Sequence, residues 1–355
     1  MKKRLTALAL CLTLLLGGCV PGADIARRAI VTAVSVTLGE EGCRVTVELL
    51  SRLGQEEQSY ESRSGEGRTF AQALTDIELE MGKTLYLDGC KAILLSGFSN
   101  AARLEELLGQ VDAHGGIRPL TLVAAGPEDG DLLAQWEGEE SAGEEVFSLL
   151  SGGGLSRVNL KDCLGLLSAP GRGVLIPQVE LKEGAARIGG YLSPGRKGIL
   201  KAPAELERLL PFAGGEDRRR VYTVAGEGYT ADWALEKSAM RLRPRQQDGE
   251  VGFLLEARVE GHLLSGRGDP RGEELLRRAQ EDVCAQLVEE YAMVLEKIVR
   301  PSGNDLFSMG KRLELLDRKS WEKIGENWEE LLPEIPVELR GTVLLRDSRR
   351  LSGRD

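Results

Sequence analysis

Two histidines and six cysteines carry most of the reactive chemistry in this 355-residue chain, and their spacing argues against a metal site or a catalytic centre. His114 lies in a Gly-rich turn and His262 in an alternating, strand-like stretch; neither has a second ligand at metal-binding spacing. Cys43, Cys90, Cys163 and Cys284 stand far apart without a CxxC pair. Each lies in or beside an apolar segment, so buried free thiols are expected, although an exported chain offers three disulfide pairings. Gly152-Gly-Gly154 lacks the Lys-Ser/Thr of a phosphate loop and reads as a connector. No GxSxG, HExxH or kinase-like set occurs. Glu139-Glu140 and Glu144-Glu145 read as solvated charges, and the Arg267-Gly268-Asp269 tripeptide uses its aspartate as a helix cap. No catalytic residue, cofactor or metal is expected, and the chain is read as a non-enzyme.

The two remaining cysteines lie at the start. Lys2, Lys3 and Arg4 precede an uncharged apolar run from Leu5 to Leu16 that contains Cys11. About 12 residues is too short to span a bilayer, which takes about 20, but suits a secretory signal. Leu16-Gly17-Gly18-Cys19 resembles a bacterial lipobox, at which a diacylglyceryl group is joined to the Cys19 thiol and the chain is cut before it. Residues 1–18 are therefore expected to be a signal peptide. The mature chain is expected to be held by the Cys19 lipid on the outer face of the cytoplasmic membrane. Without the three basic signal residues, 43 Lys and Arg face 56 Asp and Glu, a net charge of −13. That argues against nucleic acid as a partner.

Alternation and helical periodicity define the supporting elements. Residues 29–38 and 43–50 read as strands and 54–67 as a polar loop. Thr69 reads as the N-cap of a helix to Met81, with Phe70, Leu74, Ile77 and Met81 on one face. Extended segments at 85–86 and 91–96, a helix at 101–111 and a buried strand at 119–125 follow. Helices at 144–150 and 160–167 and a strand at 174–181 complete an N-terminal α+β region, 19–183. The C-terminal α+β region, 184–355, opens with a hairpin (187–192 and 198–200). Residues 211–220 are a second boundary or an exposed loop, and long strands lie within 221–264. A helix capped by Asp269 and Pro270 carries Leu276, Ala279, Val283, Leu287, Tyr291, Val294 and Ile298 on one face until Pro301. Two shorter helices and a final strand, 337–346, close the chain. The fold class is α+β, two to three domains of mixed or antiparallel sheets with helices packed on them. Trp321 and Trp328, seven apart, are expected on one helix face, either as core beneath the final strand or as a partner contact.

Several segments, in order, resemble the Ger(x)C family, the C-subunit lipoproteins of spore germinant receptors. Ile30-Val-Thr-Ala-Val-Ser-Val36 and Cys43-Arg-Val-Thr-Val-Glu48 are similar to its first strands. Gly67-Arg-Thr-Phe-Ala-Gln-Ala-Leu74, Leu85-Tyr86 and Lys91-Ala-Ile-Leu-Leu95 resemble its helix–strand unit, and Arg118-Pro-Leu-Thr-Leu-Val123 and Leu175-Ile-Pro-Gln-Val-Glu180 its later strands. Asn304-Asp-Leu-Phe-Ser-Met-Gly310, Trp321, Trp328 and Leu332-Pro-Glu-Ile-Pro-Val-Glu338 resemble its C-terminal tail. Members often carry Trp-Asp after the lipidated cysteine; here Val20-Pro-Gly-Ala-Asp24 follows. The resemblance implies a non-catalytic subunit acting with an A subunit and a permease-like B subunit in the spore inner membrane. The alternative reading is a stand-alone solute-binding envelope lipoprotein.

Overall fold

In a computed structural model, residues 27–51, 59–128, 130–152, 158–203, 220–226, 229–247, 250–267 and 273–346 are described. β-Branched residues in alternation start the first sheet. Strand β1 (Arg28–Leu38) pairs antiparallel with β2 (Cys43–Leu50), setting Val34 opposite Val47 and Val36 opposite Val45. β3 (Tyr60–Gly67) pairs with β2, where a loop is expected from the sequence. Its polar composition follows from its position: an edge strand with most side chains in solvent gains its order from backbone pairing, not from burial.

Helix α1 (Phe70–Met81) begins at Thr69, whose hydroxyl accepts from the Gln72 amide at 3.3 Å, and buries Phe70, Ala73, Leu74 and Ile77. Beyond it come β4 (Thr84–Tyr86), β5 (Ala92–Ser96), α2 (Ala101–His114), β6 (Leu122–Ala125), α3 (Leu132–Gln135), α4 (Ala142–Gly152), α5 (Leu160–Leu167) and β7 (Ile176–Lys182). β4 and β5 run parallel to β1, β6 to β5, and β7 to β6. Helices lie on both faces, α1, α2 and α5 on one and α3 and α4 on the other. Every residue of β5 is accordingly buried, the continuous apolar pattern of a central parallel strand.

β8 (Ala185–Pro194) and β9 (Ile199–Pro203) continue this sheet antiparallel, giving the order β3-β2-β1-β5-β6-β7-β8-β9 with β4 beside β1. The division of the chain at 184 thus falls in a hairpin turn of the first sheet, not between sheets. Sequence character changes there because antiparallel strands joined to a sheet end alternate as the later strands do. This hairpin also serves a second core: Leu192 packs in the first, Tyr191 and Ala202 in the second.

The second sheet has the order β10 (Arg220–Gly226), β11 (Tyr229–Gln247), β12 (Glu250–Arg267), β13 (Val337–Arg346). Its inner face meets α6 (Glu273–Val294), whose Ala279, Val283, Leu287, Tyr291 and Val294 are buried as the periodicity requires. Asp269 and Pro270, and residues 211–219, lie outside the described residues. α6 runs through a π-helical turn (Leu295–Val299) into α7 (Arg300–Ser302), so Pro301 does not stop it. Proline is tolerated in that first turn. The stop is Gly303, left-handed at φ 68°, whose N–H reaches the Val299 carbonyl at 2.9 Å. α8 (Met309–Leu316), α9 (Arg318–Ile324) and α10 (Trp328–Leu331) lead to β13, parallel to β12 as a helical crossover allows.

Candidate functional site

The segment from Asn304 to Gly310, which leads from the end of α7 into the first turn of α8, joins the two sheets through buried polar groups. Asn304 Nδ2 donates to the Val174 carbonyl at 2.7 Å and to Ser193 Oγ at 2.8 Å, while Oδ1 accepts from the Val174 amide at 3.1 Å. One side chain thereby satisfies backbone just before β7 and a hydroxyl on β8. Gly310 and Gly171 meet backbone to backbone. A Cβ on Gly310 would lie 2.4 Å from the Gly171 Cα, so only glycine permits the approach, and the Lys311 amide donates to the Gly171 carbonyl at 3.0 Å.

Asp305, 1 % exposed, is the charged centre of this joint. Its Oδ1 accepts from the Met309 amide at 2.9 Å, and its Oδ2 from the Gly310 amide at 2.7 Å and Trp328 Nε1 at 3.0 Å. The carboxylate therefore caps α8 where Ser308, itself left-handed at φ 55°, has no capping side chain. Burial pushes the Asp305 carboxyl up to about 6, against the lowering pull of the Gly310, Met309, Trp328 and Ser308 N–H groups.

Trp328 is buried, packed edge-on against Phe253 with centroids 6.1 Å apart, and Trp321 lies 5.4 Å from it. The two tryptophans occupy α9 and α10, separated by a 3-10 turn (Gly325–Asn327), which corrects their expected place on one helix. Of the two alternatives, core or partner contact, Trp328 takes the core position, and Trp321 is half-buried at the edge of the same cluster. Asn304, Asp305 and Gly310 stand in the tail motif, but no pattern in the sequence marks Asp305 as buried.

A second buried acid was equally hidden. A bulge in β1 between Val31 and Ala33 brings Thr32 to Glu48, which is 2 % exposed. Glu48 accepts from Thr32 Oγ1 (2.5 Å), Ser141 Oγ (2.6 Å), the Ala142 amide (2.6 Å) and the Gly143 amide (3.0 Å). It clamps the α4 N-terminus to the sheet. The one local signal is the Ser141-x-x-Glu144 capping spacing; the Glu144 amide donates to Ser141 Oγ at 3.1 Å.

The four cysteines in the described residues are free. Burial pushes Cys90 and Cys163 up to about 12, so both are neutral thiols at physiological pH. His114 ends α2 edge-on to Phe70, centroids 5.7 Å apart, and His262 Nδ1 lies 3.1 Å from Glu236. Among the described residues no group of three His, Cys, Asp or Glu side chains stands where it could hold a metal ion, and no helix is long and apolar enough to cross a membrane. Cys19 lies outside the described residues.

Two sheets bridged by a crossed-over helix and a buried Asn-Asp joint define a two-part α+β scaffold. The crystal structure of the GerBC protein shares this fold, with a TM-score of 0.60 over 88 % of this chain and 96 % of that one, at 14 % identity. Residues 22–181 match the family described as "Spore germination protein N-terminal domain". Residues 206–349 match "Spore germination B3/ GerAC like, C-terminal". No curated protein matches the chain. The chain belongs to the Ger(x)C family of spore germination proteins.

Proposed function

We propose that this protein is the non-enzymatic, lipid-anchored C subunit of a spore nutrient germinant receptor. It acts with the receptor's A subunit and permease-like B subunit to trigger germination. The observation that carries the reading is the presence of both family domains in order, over nearly all of the chain beyond residue 21. The Cys19 lipid holds the protein on the outer face of the cytoplasmic membrane, the spore inner membrane. A tether of that kind raises the local concentration near membrane partners, so a weak protein contact suffices. The buried joint at Asn304 ties the segment ahead of α8 to the backbone before β7 and to Ser193 on β8, and a fixed link of that kind fits a scaffold role.

The test is a gentle-detergent pull-down of the tagged protein from spore membranes. Recovery of an A-type and a permease-like subunit is expected. Recovery of this protein alone, from membranes in which other receptors survive intact, would refute the receptor reading and point to a stand-alone solute-binding lipoprotein.

A further inference from the structure

The described chain begins at Arg27, and the surface around the start of β1 gathers exposed cations and apolar side chains in an acidic protein. The Arg28 guanidinium lies 5.5 Å from the centroid of the Tyr86 ring. Tyr86 donates its hydroxyl to Asp88 at 3.0 Å, and Arg118 grips the same carboxylate through Nε and Nη2 at 2.9 and 3.1 Å. Arg118 opens a turn, closed by the Thr121 amide on its carbonyl at 3.0 Å, whose tip presents Leu120 to solvent. From the neighbouring side, the last turn of α1 carries Leu79 and leads through Gly82 to Lys83 and β4, which pairs with β1 at Arg28 and Thr84.

Leu79 at 78 % and Leu120 at 72 % are the two most exposed large apolar side chains in the described residues. Both flank the point from which the chain leads back towards Cys19. Around them stand the exposed cations Arg27, Arg28, Lys83 and Arg118. Of the nearby carboxylates, Asp88 pairs with Arg118; Glu78, which accepts from the Leu85 amide at 2.8 Å, and Glu80 stand against Arg27, Arg28 and Lys83. Exposed leucines, a tyrosine and a ring of arginine and lysine form the side-chain set that suits a bilayer interface: apolar tips enter, and cations meet phosphate.

We propose that this end of the first sheet docks on the anionic headgroup layer of the membrane that holds the Cys19 lipid. Leu79 and Leu120 enter the interface, and Arg27, Arg28 and Lys83 face the lipid phosphates. The inference rests on the lipid-anchor reading given above. Residues 20–26 separate the lipidated cysteine from Arg27, eight residue steps that reach at most about 29 Å, so this surface is the first that the tether presents to the bilayer. The net negative charge elsewhere is repelled by the same anionic lipids and orients the molecule with this end down.

The test uses the full lipidated chain in a Cys284→Ala background, carrying an environment-sensitive fluorophore on Leu120→Cys or, as the control on α8, on Leu315→Cys. Each is mixed with phosphatidylcholine vesicles that contain spin-labelled lipid, with or without phosphatidylglycerol. Expected is quenching at position 120 several-fold above that at position 315, present with phosphatidylglycerol and reduced about threefold by Lys83→Glu. A chain that sediments with the vesicles yet shows equal quenching at both positions, or none, overturns the docking and leaves the surface to a protein partner. A chain that does not sediment refutes the anchor, and the docking with it.

Discussion

Removing the Trp328 indole N–H tests the buried joint most directly. In Trp328→Phe the Asp305 carboxylate loses one of its three side-chain-oxygen contacts, the 3.0 Å bond from Nε1, while the Phe253-facing ring is largely retained. A hydrogen bond to a charged group contributes about 1.5–3 kcal/mol, and the smaller ring adds a packing loss, so roughly 2–4 kcal/mol of destabilisation is expected at pH 8. The pH dependence carries the diagnosis. Asp305 sits at about 6 when folded, above an ordinary aspartate near 3.8. The folded state therefore binds more protons than the unfolded state between about pH 4 and 6. Stability from this group falls as pH rises through that window, by about 3 kcal/mol for a two-unit shift. Loss of the indole donor raises the folded value further, so the variant's penalty must be larger at pH 8 than at pH 5, where Asp305 is mostly protonated. Thermal melts of wild type and variant at the two pH values measure it; each kcal/mol shifts Tm by roughly 2–4 °C in a unit of this size. An equal penalty at pH 5 and pH 8 would refute the assignment of the indole to the charged carboxylate.

Leu287→Asp places an unpaired charge in the fully buried α6 face and should unfold the C-terminal region; a soluble variant with a normal melt would contradict the packing of α6 on the second sheet. Gly310→Ala sets a Cβ against the Gly171 backbone and should lower stability by about 1–3 kcal/mol, read by urea denaturation. No change in the midpoint would mean the two segments do not touch. Under native conditions at pH 8 an aromatic disulfide reagent should leave Cys90 and Cys163 unmodified, and after denaturation it should titrate four thiols in the mature chain. Titration of fewer would reveal a disulfide. Cys19→Ala should leave the precursor uncleaved or release the protein from membranes, whereas normal processing with membrane retention would sink the lipid anchor.

Features whose cause is local were legible in the sequence. The Thr69 cap, the buried stripe of α6 and both ends of β13 follow from spacing along a few turns or one strand, where each side chain's environment is set by its near neighbours. The order of family-like segments pointed to the Ger(x)C family for the same reason, since motifs survive as strings. What the sequence did not disclose is non-local. β3 has no apolar pattern because its order comes from the β2 backbone, and the tryptophans meet across a turn between two helices. Asp305 and Glu48 carry no mark of burial in their own surroundings. Their partners arrive from residues 309, 310 and 328, and from residues 32 and 141–143, only when the chain has packed. A carboxylate's protonation and its capping role depend on which donors surround it and how much water is excluded. Those are properties of the tertiary structure alone.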